Sequence, residues 1–225
     1  MNLQCWQWID EPYVGDNDKD DSRAHLHLMD YERKLASLCD IRILARVLRD
    51  SIQWPADLWA LWMLSRLTGS PDKIIEIGTH RGGSMLWLAY CFAPKEIICI
   101  DPMLGMSGPS EELLRAYAAN QQMAEINLHV HSELVRAKAE DAAGDFEDGS
   151  ADLVFIDGYH AEEFVTKDLE MYWPKVKPGG ILCGHDYSNY HPDHLGVVRA
   201  VNKWEMEPKV TLLAPSRIFF IRKSA

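Results

Sequence analysis

The sequence predicts an α/β fold, a doubly wound and mostly parallel sheet covered by helices on both faces. Three observations carry this. Short runs rich in β-branched residues, such as "KIIEIG", "EIICID" and "ADLVFID", recur from residue 73 onward. Segments of helical period separate them, and several runs end on an acid or glycine where the next helix begins. Strands that alternate with helices are joined by crossovers, which make neighbouring strands parallel and bury both sheet faces.

The elements follow in order. Residues 10–22, "DEPYVGDNDKDDS", are acidic and poor in apolar side chains, and are expected to be mobile. Leu28, Leu35, Leu38, Ile41, Leu44, Ala45 and Leu48 recur at helical spacing, predicting one or two amphipathic helices between Ser22 and Arg49. "WPADLWALWMLSRLTG" reads as another helix, with Pro55 in its first turn and Gly69 as its stop. Its Leu58, Trp62 and Leu67 are expected to pack on the main domain, unless exposed tryptophans make a dimer contact. Residues 1–70 are thus an acidic segment with a helical cap, and residues 71–225 a single compact domain.

In that domain "KIIEIG" is the first strand and Ser84–Phe92 a helix; "EIICID" is the second strand, with a helix near Ser110–Met123. "NLHVH" is a weaker third strand, "ADLVFID" a fourth, Ala161–Trp173 a helix and "GGILCG" a fifth strand. A helix near Gly196–Trp204 precedes "KVTLLA" and "RIFFIR", which suit a closing antiparallel pair.

The totals narrow the function. At 225 residues the chain is long enough for a substantial core, and 47% hydrophobic with 25% charged residues is ordinary for a globular protein. A net charge of −11 argues against wrapping nucleic acid or binding an anionic membrane. Cys5, Cys39, Cys91, Cys99 and Cys183 form no CxxC pair and read as reduced thiols. With no signal peptide and no apolar run of spanning length, the expected location is cytoplasmic.

"IEIGTHRGGS" is a strand-to-turn-to-helix passage of the kind that holds ligands at the carboxyl end of such a sheet. Gly78 lets a ligand approach the backbone, and Gly82 and Gly83 allow the turn and free the next helix's first amides. The spacing departs from GxGxxG, which weakens a dinucleotide reading. Asp101 closes the second strand roughly 20 residues beyond the turn, where an acid can accept both ribose hydroxyls. It can equally cap the following loop. Glu76 is a buried acid that either bonds loop amides or braces a cationic cofactor.

Asp157 ends the fourth strand and Asp186 follows the fifth, and adjacent strands lie only about 5 Å apart. With His185 they could converge on one divalent cation, Mg²⁺, Mn²⁺, Fe²⁺ or Zn²⁺. The plain alternative is a set of hydrogen bonds that fixes the loops. His160, three residues past Asp157, is placed to take a substrate proton or to cap its helix. Asp168 reads as a surface or helix-bracing acid, and His191 and His194 as part of a solvated loop.

Taken together, "IEIGTHRGGS", "ICIDP" and "LVFIDGYHAEEFVTKDLEMYWPKVKPGGILCGHDY" resemble the class I S-adenosylmethionine-dependent methyltransferases. The closest likeness is to the subgroup with DGxH, KPGG and HDY (Methyltransferase 24-like), related to metal-dependent small-molecule O-methyltransferases. The resemblance implies a Rossmann-like sheet of seven strands with an antiparallel edge strand. It implies that Glu76, Gly78, Thr79, Gly83 and Ser84 surround the methionine part of S-adenosylmethionine and that Asp101 holds the ribose. The adenine would meet Glu140 or Asp141 in "AKAEDAAGDF", where Ala139 replaces a frequent Ser. Asp157 and His160 would be catalytic, and Asp157, His185 and Asp186 would hold Mg²⁺ or another divalent cation. The partners implied are a small-molecule acceptor and a second copy of the chain through the N-terminal helices. The competing readings are an NAD-dependent oxidoreductase, a metal-dependent hydrolase and a cofactor-binding protein without turnover.

Overall fold

The computed structural model describes residues 21–105, 108–189, 191–204, 210–213 and 216–225. Residues 10–20 of the predicted mobile stretch 10–22, and Cys5, lie outside the described residues, whereas Asp21 and Ser22 begin a helix. Three helices come first: α1 (Asp21–Leu38), α2 (Ile41–Asp50) and α3 (Pro55–Thr68). Asp40 separates the first two, its carboxylate accepting the Arg42 backbone N–H at 2.9 Å. That cap gives each helix its own buried face. α2 therefore buries Ile43, Leu44 and Val47. Leu38, Ile41 and Leu48, expected on the apolar faces of one or two amphipathic helices, are exposed instead. On α3, Leu58, Leu61 and Leu64 are buried and Trp62 packs at the edge of the same core, but Leu67 is exposed.

The α/β part runs β1 (Lys73–Ile77), α4 (Gly83–Phe92), β2 (Glu96–Ile100), the two-residue strands β3 (Leu104–Gly105) and β4 (Gly108–Pro109), and α5 (Glu111–Met123). It continues with β5 (His131–Val135), α6 (Ala139–Ala142), β6 (Ala151–Ile156), α7 (Glu162–Tyr172), β7 (Val176–Gly184) and α8 (Leu195–Lys203). It closes with β8 (Thr211–Leu212) and β9 (Phe219–Arg222). The third long strand lies later than "NLHVH" predicts. Residues 124–128 form a wide helical turn that ends on His129 in the left-handed region, and pairing with β2 starts only at His131.

The seven-stranded sheet has the order β5-β2-β1-β6-β7-β9-β8. The first five strands are parallel, while β9 runs antiparallel to both β7 and β8. The antiparallel strand thus lies one place in from the edge, and the two-residue β8 is the edge itself. Side chains alternate between two cores, as the pleat requires. Ile74, Leu153 and Phe155 join the helices α2–α5 on one face; Ile75, Ile77, Val154 and Ile156 join α7 and α8 on the other. From β1 the chain steps outward to β2 on one side and later to β6 on the other. Their carboxyl ends diverge there and leave a crevice.

Candidate active site

A cavity of about 650 Å³ opens over those carboxyl ends. Of the residues singled out in the sequence, Gly78, Thr79, Ser84, Asp101, Glu140, Asp157, His160, His185 and Asp186 line it. Glu76 and Gly83 do not. Glu76 lies beneath the turn, fully buried. Gly83 serves packing: a Cβ there would stand 2.5 Å from the Asp50–Ser51 backbone at the end of α2.

The turn is shaped by its neighbours. Gly78 has φ +86°, and a Cβ on it would lie 2.1 Å from the Asp157 carbonyl oxygen, so no other residue fits between β1 and β6. His80, at φ 48°, takes a left-handed conformation uncommon for its type. Asp101 accepts the His80 backbone N–H at 2.8 Å and the Met103 backbone N–H at 2.6 Å, one on each oxygen. It therefore caps its loop and keeps free lone pairs toward the cavity. Around the turn several buried polar atoms have no partner among the described residues: Thr79 Oγ1, His80 Nδ1, Ser51 Oγ and Gln53 Oε1.

Burial pushes the Glu76 carboxyl up to about 7, against the neighbouring Ser84, Thr79 and Cys99. Cys99 Sγ donates to its Oε2 at 3.3 Å, and Oε1 has no partner among the described residues. The two hydroxyls therefore act through proximity rather than through well-formed hydrogen bonds.

At the ends of β6 and β7 the histidines and acids do converge. His185 Nδ1 lies 3.3 Å from Asp157 Oδ1 and 3.2 Å from Asp186 Oδ1, and its Nε2 lies 3.0 Å from Asp57 Oδ2. Burial alone would hold this imidazole neutral, but the Asp157 and Asp57 carboxylates outweigh it and raise its pKa. His160 Nε2 is 2.8 Å from Asp186 Oδ2, and that bond raises the His160 pKa. His194, expected in a solvated loop, is buried with Nε2 3.3 Å from Asp186 Oδ1 and Nδ1 3.0 Å from Ser188 Oγ.

Two members of this cluster escaped the sequence reading. Asp57 sits at the start of α3, and Arg217 just before β9. Arg217 reaches Asp57 Oδ2 through Nη2 at 2.6 Å and Nε at 3.1 Å, its backbone N–H meets Asp57 Oδ1 at 2.7 Å, and Nη1 reaches Asp186 at 2.9 Å. Trp54 stacks on the same guanidinium at 4.4 Å. Gln53 is a third omission: its Nε2 donates to Asp157 Oδ2 at 3.2 Å. Asp57 is 160 positions from Arg217 in the chain, so only the folded sheet brings them together.

Asp168 is a correction. It is not a surface acid: it is 7% exposed, on the wall of the cavity, with no hydrogen bond or ion pair to its carboxyl among the described residues. The helix turns its solvent face through Lys167 and Glu170 and leaves Asp168 pointing inward. Burial first, and then the charge of Glu140, push its pKa up to about 7.

A family model described as a methyltransferase domain matches residues 75–187, the stretch that contains the turn and both acid-bearing strand ends. The chain belongs to that methyltransferase family. It is 31% identical over 138 residues to an uncharacterized protein of Sinorhizobium fredii, a match over 57% of this chain and 14% of that one. The match to a second curated relative covers 57% of that relative's length, so neither is spanned by more than about half. Among solved structures, a methyltransferase from Podospora anserina bound to S-adenosylhomocysteine is similar with a TM-score of 0.65 at 14% identity, covering 94% of this chain and 100% of that one. An O-methyltransferase from Bacillus cereus in complex with S-adenosylhomocysteine is similar with a TM-score of 0.59 at 18% identity, covering 87% and 100%. At these identities the likeness to the solved structures is one of fold.

Proposed function

We propose that the chain is an S-adenosylmethionine-dependent methyltransferase that acts on a hydroxyl of a small molecule. One observation carries the proposal: a single cavity joins the Gly78 turn and Asp101 to the histidine–carboxylate cluster of Asp157, His160, His185 and Asp186. The donor fits this lining. The unpartnered atoms Thr79 Oγ1 and His80 Nδ1 suit its polar methionine end, and the acids of the lining suit a cation. The two solved relatives that bind its demethylated product share the fold. Glu76 and Gly83 support the methionine subsite from beneath, Thr79 and Ser84 from within it, and Asp101 takes the ribose.

The donor supplies an electrophilic methyl group on a sulfonium. The chain must hold the acceptor oxygen in line with it and remove that oxygen's proton. His160 accepts the proton on Nδ1, the nitrogen that Asp186 leaves free, and Asp186, bonded to Nε2 and fixed by Arg217, orients the ring and stabilises the imidazolium. The oxygen–carbon bond forms as the carbon–sulfur bond breaks, leaving a methyl ether, a neutral thioether and a protonated His160.

The donor set of Asp157, His185 and Asp186 also fits a divalent cation. Their ligand atoms lie within 4.8 Å of one another, and the second His185 nitrogen is held by a carboxylate, as in many metal-ligating histidines. A cation held there would supply Lewis acidity to the acceptor oxygen.

In this reading residues 1–70 cap the catalytic domain 71–225. Exposed Leu38, Ile41 and Leu48 support self-association through the N-terminal helices. The free thiols Cys39, Cys91, Cys99 and Cys183 suit a cytoplasmic enzyme, and among the described residues no helix is long and apolar enough to cross a membrane. The negative charge disfavours nucleic acid as a partner.

The test is transfer of labelled methyl from S-adenosylmethionine to a panel of hydroxylated small molecules, with and without chelator. We expect turnover by the wild type and a loss of about 10²–10⁴-fold in His160→Ala. Unchanged turnover in His160→Ala would remove the base. Rates indifferent to chelator, and to Asp157→Ala, would remove the cation. Binding of the donor without turnover of any acceptor would favour a binding protein.

A further inference from the structure

Two histidines meet one carboxylate beside the cavity, and the reaction just described uses only one of them. His160 Nε2 lies 2.8 Å from Asp186 Oδ2, and His194 Nε2 lies 3.3 Å from Asp186 Oδ1. The two rings stand at 88° with centroids 5.5 Å apart. One ligand atom from each of the three residues falls within 4.8 Å of the other two. Tetrahedral zinc, with bonds of about 2.0–2.1 Å, needs its ligand atoms about 3.3 Å apart, so small ring rotations are enough to enclose it.

The fold builds this meeting point. His160 lies just before α7, and His194 closes the turn Pro192–His194 that leads into α8. Val165 and Leu169 of α7 share a core with Val197 and Val201 of α8. Gly196 brings the two segments closer than any side chain allows, since a Cβ there would stand 2.1 Å from the His160 carbonyl oxygen. Ser188 Oγ, 3.0 Å from His194 Nδ1, can take the ring proton there, which frees Nε2 for a metal. Arg217 Nη1 holds Asp186 Oδ1 at 2.9 Å and leaves Oδ2 to a cation. In the wider cluster the carboxylates of Asp57, Asp157 and Asp186 face the single guanidinium of Arg217, so with neutral imidazoles a divalent cation restores the charge balance. Entry is open, because His160 lines the cavity and its side chain is 36% exposed.

We propose that His160, Asp186 and His194 form a regulatory site for a borderline-soft divalent cation of the zinc class, and that its occupancy stops the reaction. This site is distinct from the set of Asp157, His185 and Asp186. Two imidazoles with one carboxylate suit zinc, whereas a set richer in carboxylates suits a harder ion. The inhibition rests on the reading that His160 is the base. A cation on Nε2 replaces the ring proton shared with Asp186 and confines the ring's proton to Nδ1. Nδ1 then has no lone pair with which to accept a proton from the acceptor hydroxyl.

The experiment titrates the metal-free full chain with Zn²⁺ against a chromophoric chelator, for wild type, His194→Ala and Asp157→Ala. Methyl transfer is followed in parallel, without Zn²⁺ and with it at saturation. We expect zinc affinity to fall at least about 100-fold in His194→Ala and less than about 10-fold in Asp157→Ala. Zinc should slow wild-type transfer by about 10²–10⁴-fold, the share of a general base, and should not slow His194→Ala below its own zinc-free rate. Should His194→Ala fail to fold, His194→Asn carries the same expectation, for its amide keeps a polar group toward Ser188 and has none at the place of Nε2. Zinc bound as tightly by the His194 variants as by wild type, or bound through His194 without slowing transfer, overturns the proposal. A wild type that transfers no methyl even without zinc overturns the functional reading instead, and the chelator titration still decides whether the site exists.

Discussion

Two sets of buried acids in this molecule behave in opposite ways. Asp57 and Asp186 are wrapped by Arg217, His185 and His160; against the burial that would raise them, these partners hold both carboxyls well below the usual range. Glu76 and Asp168 are as deeply placed but lack such partners, and burial pushes each up to about 7. The first set has been completed by the chain itself and ties α3, the loop after β7 and the start of β9 into one unit. The second set is incomplete: Asp168 stands on the cavity wall, and Glu76 lies fully buried beneath the turn without lining the cavity. The difference separates acids that the chain neutralises with its own cations from acids to which it offers no cation.

The largest expected effect breaks the completed set. Asp57→Ala takes from buried Arg217 and His185 a counter-charge they share, and should cost about 3–5 kcal/mol in urea denaturation. A loss under about 1 kcal/mol would mean that water reaches this network and that the contrast is false.

Removing an incomplete acid should do the reverse. Asp168→Asn and Glu76→Gln are each expected to raise the stability of the ligand-free protein, by about 1–3 kcal/mol at neutral pH. Thermal unfolding checks this directly, and a destabilised Asp168→Asn would show that its carboxyl has a structural partner after all.

The same two acids set a pH dependence. Their folded pKa values lie above the unfolded ones of 3.8 and 4.5, so the native state keeps protons that the unfolded chain has released. Their contribution to stability is therefore present at low pH and is lost as pH rises from about 4 toward 7, levelling off above that. The double variant Asp168→Asn/Glu76→Gln should flatten this slope in unfolding measured across the window. An unchanged slope would assign it to other groups.

The smallest effect refines the completed set. Trp54→Ala removes the ring stacked on Arg217 and should cost about 0.5–1 kcal/mol, with the cluster's ion pairs intact.

The same contrast explains what could be read in the chain. The parallel strands and the glycine turn follow from local signals, because "KIIEIG" and "EIICID" carry both their β-branched runs and the residues at their ends. Asp101, Asp157, His160 and Asp186 were legible for the same reason: each closes or follows a strand whose position the pattern defines. Asp57 and Arg217 were not. An acid near a helix start beside Pro55 looks like an ordinary favourable charge at a helix N-terminus, and one arginine before the last strand carries no pattern. Asp168 was placed on the surface because Glu162 and Lys167 flank it in sequence, whereas helical geometry puts adjacent residues about 100° apart. The late start of β5 was hidden by a π turn, which periodicity does not announce.

The central claim is that the crevice between β1, β2 and β6 takes an S-adenosyl donor. Titration calorimetry of the purified full chain with S-adenosylhomocysteine tests it most directly. A one-to-one heat of binding is expected, falling sharply in Asp101→Ala. The absence of heat with either this product or S-adenosylmethionine, from a protein that unfolds cooperatively, would contradict it.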